Sequence, residues 1–231
     1  MRTIGLLGGM SWVSTEHYYR LINVEVGAAL GTEHCARLLL WQGDFAELAA
    51  MQRAGRWDRA GEHLAAGTRA LVGAGAEVIA IGANTMHLVA DAVSAAAGDA
   101  ELVHIVDVVR DACVAAGVTK LGLLGTQYTM ESAELYPPRL AAAGIEVLVP
   151  SPTERLAIHQ HTMDELTRDV VTQAARTSFH AACEELIARG AGAIALACTE
   201  HGMILREGDL AVPILDSAVL HARAIVAAVL G

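Results

Sequence analysis

Short apolar runs recur along the chain, separated by longer stretches in which apolar residues return every three or four positions. Thr3–Leu7 (TIGLL) reads as a buried strand, and the helical pattern after it runs from about Ser14, a plausible N-cap, to Leu30. Ala36–Gln42, Glu77–Ile81 and Leu102–Val106 read as further strands, with helical stretches at Trp57–Gly73 and Asp107–Ala116. Strands of this length alternating with helices predict βαβ units and parallel sheets.

The pattern then starts again. Lys120–Thr126 (KLGLLGT) repeats Thr3–Gly9 (TIGLLGG), and Gly190–Thr199 (GAGAIALACT) repeats Gly75–Asn84 (GAEVIAIGAN). Pro213–Asp216 (PILD) echoes His104–Asp107 (HIVD). The offsets are about 117, 115 and 109 residues. Buried strands all resemble one another, which accounts for one match better than for three in the same order. The order predicts a duplicated α/β unit: two pseudo-symmetric halves, each a parallel sheet flanked by helices, with a cleft between them.

Composition narrows the class. Of 231 residues, 54% are hydrophobic, 18% charged and 4% aromatic, and the net charge is −10. That charge argues against a nucleic-acid partner, which requires Lys and Arg facing phosphates. Four Cys are too few for a disulfide scaffold. The opening MRTIGLLGGMSW lacks a continuous apolar stretch with a small-residue cleavage site. No apolar run reaches the ~18 residues of a spanning helix. A soluble cytoplasmic protein with no membrane partner is expected.

Ligands of parallel sheets sit beyond the carboxyl ends of strands. The chemistry-bearing segments there are Gly8-Gly9-Met10-Ser11, Gly43-Asp44, Ala83-Asn84-Thr85, Gly125 to Thr129, Cys198-Thr199-Glu200-His201, and Asp107 or Asp216. Backbone N–H groups, helix N-termini and neutral donors such as Asn84, Thr85, Thr126, Thr129 and Thr199 could hold a carboxylate there with few cations. Cys113 and Cys183 fall within helical patterns and read as small core residues, and Cys35 carries no motif. Cys198 ends a strand at an expected helix N-terminus, which would lower its pKa. No phosphate-loop fingerprint occurs. His159-Gln160-His161 lacks the third ligand a metal site needs. The polar stretch Met51–Trp57 reads equally as a surface loop or as a flap carrying Gln52 or Arg53 over an anion.

These residues resemble the cofactor-independent aspartate/glutamate racemase family, within the group that includes hydantoin racemases, maleate isomerases and arylmalonate decarboxylases. The resemblance is carried by residues 4–23, LLLWQGDFAEL (38–48), Gln52, NTMH (84–87), GLLGTQYTM (122–130), CTE (198–200) and ILDSAVLHA (214–222), so it extends along nearly the whole chain. It implies two similar halves with the active site between them, divided here as 1–99 plus 208–231 and 100–207. It also implies a small carboxylate or amino-acid substrate, a homodimer, and neither pyridoxal phosphate nor metal. Racemisation removes the Cα proton from one face and returns one to the other, so it wants an acid/base group on each side. The resemblance makes Cys198 one of them. It places Asn84, Thr85 and Thr199 as donors to the carboxylate, with Met10, Ser11, Gln52, Thr126, Thr129 and Glu200 near the substrate.

The first thiol of the family pattern is missing. The position before Asn-Thr is Ala83, which carries no proton, and His201-Gly202 comes after CTE where relatives often have an apolar residue and Pro. Three readings result. The first is a racemase in which water or a neighbour, His87 or His201, serves the Ala83 face. The second is a one-thiol decarboxylase or isomerase of a small dicarboxylate. The third is a carboxylate binder without turnover.

Overall fold

The computed structural model describes all 231 residues. In chain order the first elements are β1 (Ile4–Gly8), α1 (Trp12–Leu30), β2 (Leu38–Gln42), α2 (Phe45–Arg53), α3 (Trp57–Gly73) and β3 (Val78–Ile81). A 3-10 turn at Thr85–Val89 leads to α4 (Ala90–Ala97), β4 (Glu101–Val103) and α5 (Ile105–Ala115). The second run is β5 (Lys120–Gly125), α6 (Gln127–Met130), α7 (Pro137–Ala141), β6 (Glu146–Leu148), α8 (Pro152–Asp164) and α9 (Gln173–Ala188). It closes with β7 (Ala193–Ala197), β8 (Ile214–Asp216) and α10 (Ser217–Leu230).

The strands form two parallel four-stranded sheets of the same order, β2-β1-β3-β4 and β6-β5-β7-β8. Two of the three repeated segments occupy the same place in each sheet, β1 with β5 and β3 with β7, whereas Pro213–Asp216 supplies β8 and its echo His104–Asp107 lies past β4 at the start of α5. The inner strands β1, β3 and β7 are buried throughout, as strands covered on both faces must be, and this is why they read as unbroken apolar runs. The duplication extends to packing. A Cβ at Gly5 would lie 2.9 Å from Ile79 Cδ1 and 2.8 Å from Ala76 Cβ; at Gly122 it would lie 2.5 Å from Ile194 Cδ1 and 3.3 Å from Ala191 Cβ. Ile79 and Ile194, and Ala76 and Ala191, share the offset of the Gly75–Asn84 repeat. In both sheets a glycine lets the neighbouring strand's isoleucine cross over it.

Two compact units result, Met1–Ile105 with His221–Gly231, and Val106–Leu220. The carboxy-terminal return to the first unit begins at His221, later than the expected 208, because β8 is hydrogen-bonded to β7. Leu7, Leu64, Ile79, Ile81 and Val93 anchor the core of the first unit; Leu124, Ile158, Phe179, Leu186 and Ile194 anchor that of the second.

Several local expectations shift. Ser11, not Ser14, caps α1: its side chain accepts from the Ser14 N–H, as Ser does ahead of a first turn. Ile105 and Val106 begin α5 instead of ending β4. The Met51–Trp57 stretch is mostly helical, split between the end of α2 and the start of α3. No helix is long and apolar enough to cross a membrane.

Candidate active site

In the first unit, two hydroxyl groups of α1 hold the ends of β1 and β3. Thr15 Oγ1 accepts from Gly9 N–H at 2.8 Å and donates to the Ser11 carbonyl, also at 2.8 Å. Ser14 Oγ donates to the Gly82 carbonyl at 2.8 Å, which fixes the β3 end against α1. Gly9 has φ +77°, and a Cβ there would strike the Gly43 carbonyl at 2.5 Å, so only glycine lets these two strand ends meet. Met10, Ser11, Gln52, Asn84 and Thr85 are all buried in this unit. Gln52 Nε2 lies 3.1 Å from Met86 Sδ, so α2 turns Gln52 inward while Arg53 is exposed.

Ala83 is half-buried and packs on the first unit's core. Its carbonyl accepts from His87 Nδ1 at 2.8 Å, which fixes the tautomer, and His87 Nε2 accepts from Ile105 N–H at 3.2 Å. Both ring nitrogens of His87 are thus occupied by backbone, and burial, with His104 and His221 nearby, holds its pKa well below the ordinary value. The expected auxiliary role of His87 has no free nitrogen to carry it.

His87 belongs to a network that local spacing cannot reveal. Its ring centroid lies 4.6 Å from that of His104 and 5.8 Å from that of His221. His221 Nε2 donates to the Val103 carbonyl at 2.8 Å, and its Nδ1 accepts from the Tyr18 hydroxyl at 2.8 Å. Burial pushes His221 down to about 4. Tyr18 and His221 lie near opposite ends of the chain, and only the α10 return brings them together.

In the second unit, Thr126 caps α6, its Oγ1 accepting from Thr129 N–H at 3.4 Å, and both threonines are buried. Cys198 lies just past the end of β7. His201 N–H bonds back to the Cys198 carbonyl at 3.1 Å and Met203 N–H to the Glu200 carbonyl at 3.0 Å, so the chain turns tightly. That turn returns the Glu200 side chain onto Cys198: Sγ lies 3.0 Å from Oε2. Thr199 Oγ1 donates to the same oxygen at 2.8 Å.

This geometry changes the expectations for the Cys198–His201 segment. The element after Cys198 is a 3-10 turn, His201–Met203, too short to supply a helix dipole. Burial, then the Glu200 carboxylate, pushes the thiol well above its ordinary pKa, so the resting form is a thiol and not the thiolate expected from a helix N-terminus. Cys198 keeps some accessible surface, but the atoms crowded round its sulfur dominate. Thr199 commits its hydroxyl proton to Glu200, so any donation to a carboxylate falls to its backbone. Glu200, expected near the substrate, engages the thiol.

His201 is fully buried, edge-on to Phe179, with its Nε2 3.0 Å from Thr162 Oγ1. Thr162 already donates to the Ile158 carbonyl, so Nε2 carries the proton and donates to the Thr162 hydroxyl. No hydrogen bond of normal geometry reaches Nδ1, and burial holds His201 down to about 3. A histidine kept neutral this firmly is a poor acid at neutral pH.

The other strand-end candidates do structural work. Asp44 and Asp216 accept from N–H groups of the helices that come after them, and Asp107 pairs with Arg110 and Arg139 at 2.8 and 2.7 Å. Cys113 and Cys183 are buried, and burial lifts their thiols to about 11 and about 12. His159 accepts from Gln127 N–H at 3.4 Å and His161 pairs with Glu165 at 2.8 Å. No group of three or more His, Cys, Asp or Glu side chains is placed to hold a metal.

A candidate Asp/Glu racemase from Yersinia pestis is similar in structure, with a TM-score of 0.90, 39% identity and 100% of both chains covered. An aspartate racemase homologue from Pyrococcus horikoshii OT3 matches with a TM-score of 0.84 and 30% identity, again over 100% of both chains. An aspartate racemase from Picrophilus torridus shares the fold at 19% identity and a TM-score of 0.77, over 99% of this chain and 94% of that one. The Asp/Glu/Hydantoin racemase family model matches residues 7–225, and the chain belongs to that family.

Proposed function

We propose that this protein is an isomerase of acidic amino acids, working without pyridoxal phosphate, in which Cys198 exchanges the Cα proton. The observation that carries the reading is the Cys198 thiol at the carboxyl end of β7, held at 3.0 Å from a buried carboxylate. A positioned acid/base group of this kind contributes roughly 10²–10⁴ to a proton-transfer rate. Asn84, Thr85 and the backbone of Thr199 hold the substrate carboxylate and stabilise the charge that develops on it when Cα loses its proton. Met10, Ser11, Gln52, Thr126 and Thr129 shape the substrate's surroundings.

Ala83 makes the reaction lopsided. Cys198 serves one face of Cα directly, and water serves the other. Exchange at Cα should therefore outrun inversion. The same methyl favours a second reading, decarboxylation of a substituted malonate, which needs only one proton donor.

The test is incubation of each enantiomer of Asp and Glu in D2O, with NMR at Cα and optical rotation as readouts. The expected result is deuterium incorporation with slower loss of optical activity, both abolished in Cys198→Ala. Full exchange in Cys198→Ala would remove the thiol from the mechanism. Absence of exchange with every acidic amino acid, together with CO2 release from a malonate, would replace the isomerase by the decarboxylase.

A further inference from the structure

We propose that Glu200 is the positioning partner of Cys198, orienting the thiol proton at rest and receiving it when the sulfur must act as a base. The proposal rests on the isomerase reading for its chemistry and on geometry for its residues. Glu200 is only 3% exposed, and its Oε2 is shared by two donors, the Cys198 thiol at 3.0 Å and the Thr199 hydroxyl at 2.8 Å. The Thr199 bond fixes the carboxylate rotamer, so that Oε2 faces the sulfur. The backbone turn fixes the spacing: the His201 and Met203 N–H bonds fold Glu200 back over the residue two positions before it.

A thiol whose proton is held by a buried carboxylate is ready as an acid and unready as a base. Burial and the anionic Glu200 both disfavour the thiolate. For proton abstraction, the Sγ–H bond breaks toward Oε2, leaving a carboxylic acid and a thiolate. The thiolate then takes the proton from Cα as that C–H bond breaks, and the electron pair stays on the substrate as an enediolate. In return, the Sγ proton goes back to Cα and the Oε2 proton refills the sulfur. Every proton is accounted for within the triad of Cα, Sγ and Oε2, and no co-reactant is needed.

The proposal separates two properties that a purely repulsive carboxylate would link. Glu200→Gln removes the negative charge, so the thiol should ionise more easily. It also removes the proton acceptor, so exchange should slow. The experiment tracks Cys198 alkylation by iodoacetamide from pH 6 to 10, by peptide mass, in a Cys35→Ser background because Cys35 is exposed. Cα exchange in D2O is measured on the same proteins. For Glu200→Gln the expected result is an alkylation midpoint lower by at least one pH unit, with exchange at least tenfold slower. Glu200→Asp should keep the high midpoint and recover part of the exchange. Circular dichroism and urea midpoints check that each variant is folded.

An unchanged alkylation midpoint in folded Glu200→Gln overturns the pairing. A lower midpoint accompanied by faster exchange overturns the acceptor role, because Glu200 would then only suppress the thiolate. Absence of exchange in the parent protein counts against the isomerase reading alone, and the alkylation midpoint still decides the pairing.

Discussion

Replacing His221 by glutamine changes how the first unit responds to acid. Burial is the main reason that His221 titrates near 4 instead of 6.5 in the folded protein, with His104 pushing the same way and the Val103 carbonyl opposing. Below pH 6.5 the unfolded chain binds a proton that the folded chain refuses. Stability is therefore fully present above pH 6.5, falls with pH through the interval, and levels off below about pH 4. The interval of roughly 2.5 pH units corresponds to about 3 kcal/mol, of which about 2 kcal/mol is lost by pH 5. That is a large share of the 5–15 kcal/mol typical of a folded domain. The glutamine of His221→Gln would pair through its amide without titrating, at a fixed cost from imperfect geometry. His87 shifts in the same direction and remains in both proteins.

The assay is urea unfolding monitored by tryptophan fluorescence at several pH values from 7 to 5. All three tryptophans, Trp12, Trp41 and Trp57, lie in the first unit, so the signal reports that unit. The parent should lose about 2 kcal/mol more than His221→Gln between pH 7 and pH 5. With an m-value of about 1–2 kcal/mol per molar, the difference is an excess fall of about 1–2 M in midpoint. Parallel pH dependences in the two proteins would refute the idea that burial of a neutral His221 makes the unit acid-sensitive.

Two further outcomes are expected from packing and from the position of the absent thiol. Gly67→Ala should lower stability although alanine is the better helix former by about 1 kcal/mol. A Cβ at Gly67 would stand 2.5 Å from Trp41 Cδ2 and 2.9 Å from Leu7 Cδ2, and overpacking of this kind costs about 1–3 kcal/mol. A lower urea midpoint and a shifted Trp41 emission check it, and a stabilised variant would show that the indole moves freely. Ala83→Cys should raise inversion relative to exchange by tenfold or more, because it supplies a thiol to the unserved face. An unchanged ratio of inversion to exchange would count against Ala83 as the reason for one-sided chemistry.

How much was legible in the sequence depends on the range of each interaction. β1, β3, β5 and β7 announced themselves because inner strands of a parallel sheet are apolar throughout. α2 does not stand out in the sequence because a short helix carrying Glu47, Gln52 and Arg53 has no strong apolar face. The segment at Ile105 is an unbroken apolar run, which fits strand or buried helix equally, and packing chose the helix. The Cys198–Glu200 pair was visible as CTE, but the direction of its effect was not: the thiol's pKa depends on whether a long helix or a short turn comes next and on how tightly its surroundings close.

By itself, the sequence determined the duplicated architecture, the family and the strand ends where chemistry collects, since periodicity and motif spacing are local properties that survive without coordinates. Tertiary structure alone decided which polar groups are already committed. His87 is bonded to Ala83 and Ile105, His221 to Tyr18 and Val103, His201 to Thr162, and Thr199 to Glu200. Buried donors and acceptors must find partners wherever the fold supplies them, near or far along the chain. The residues left for proton transfer emerge only after those bonds are assigned.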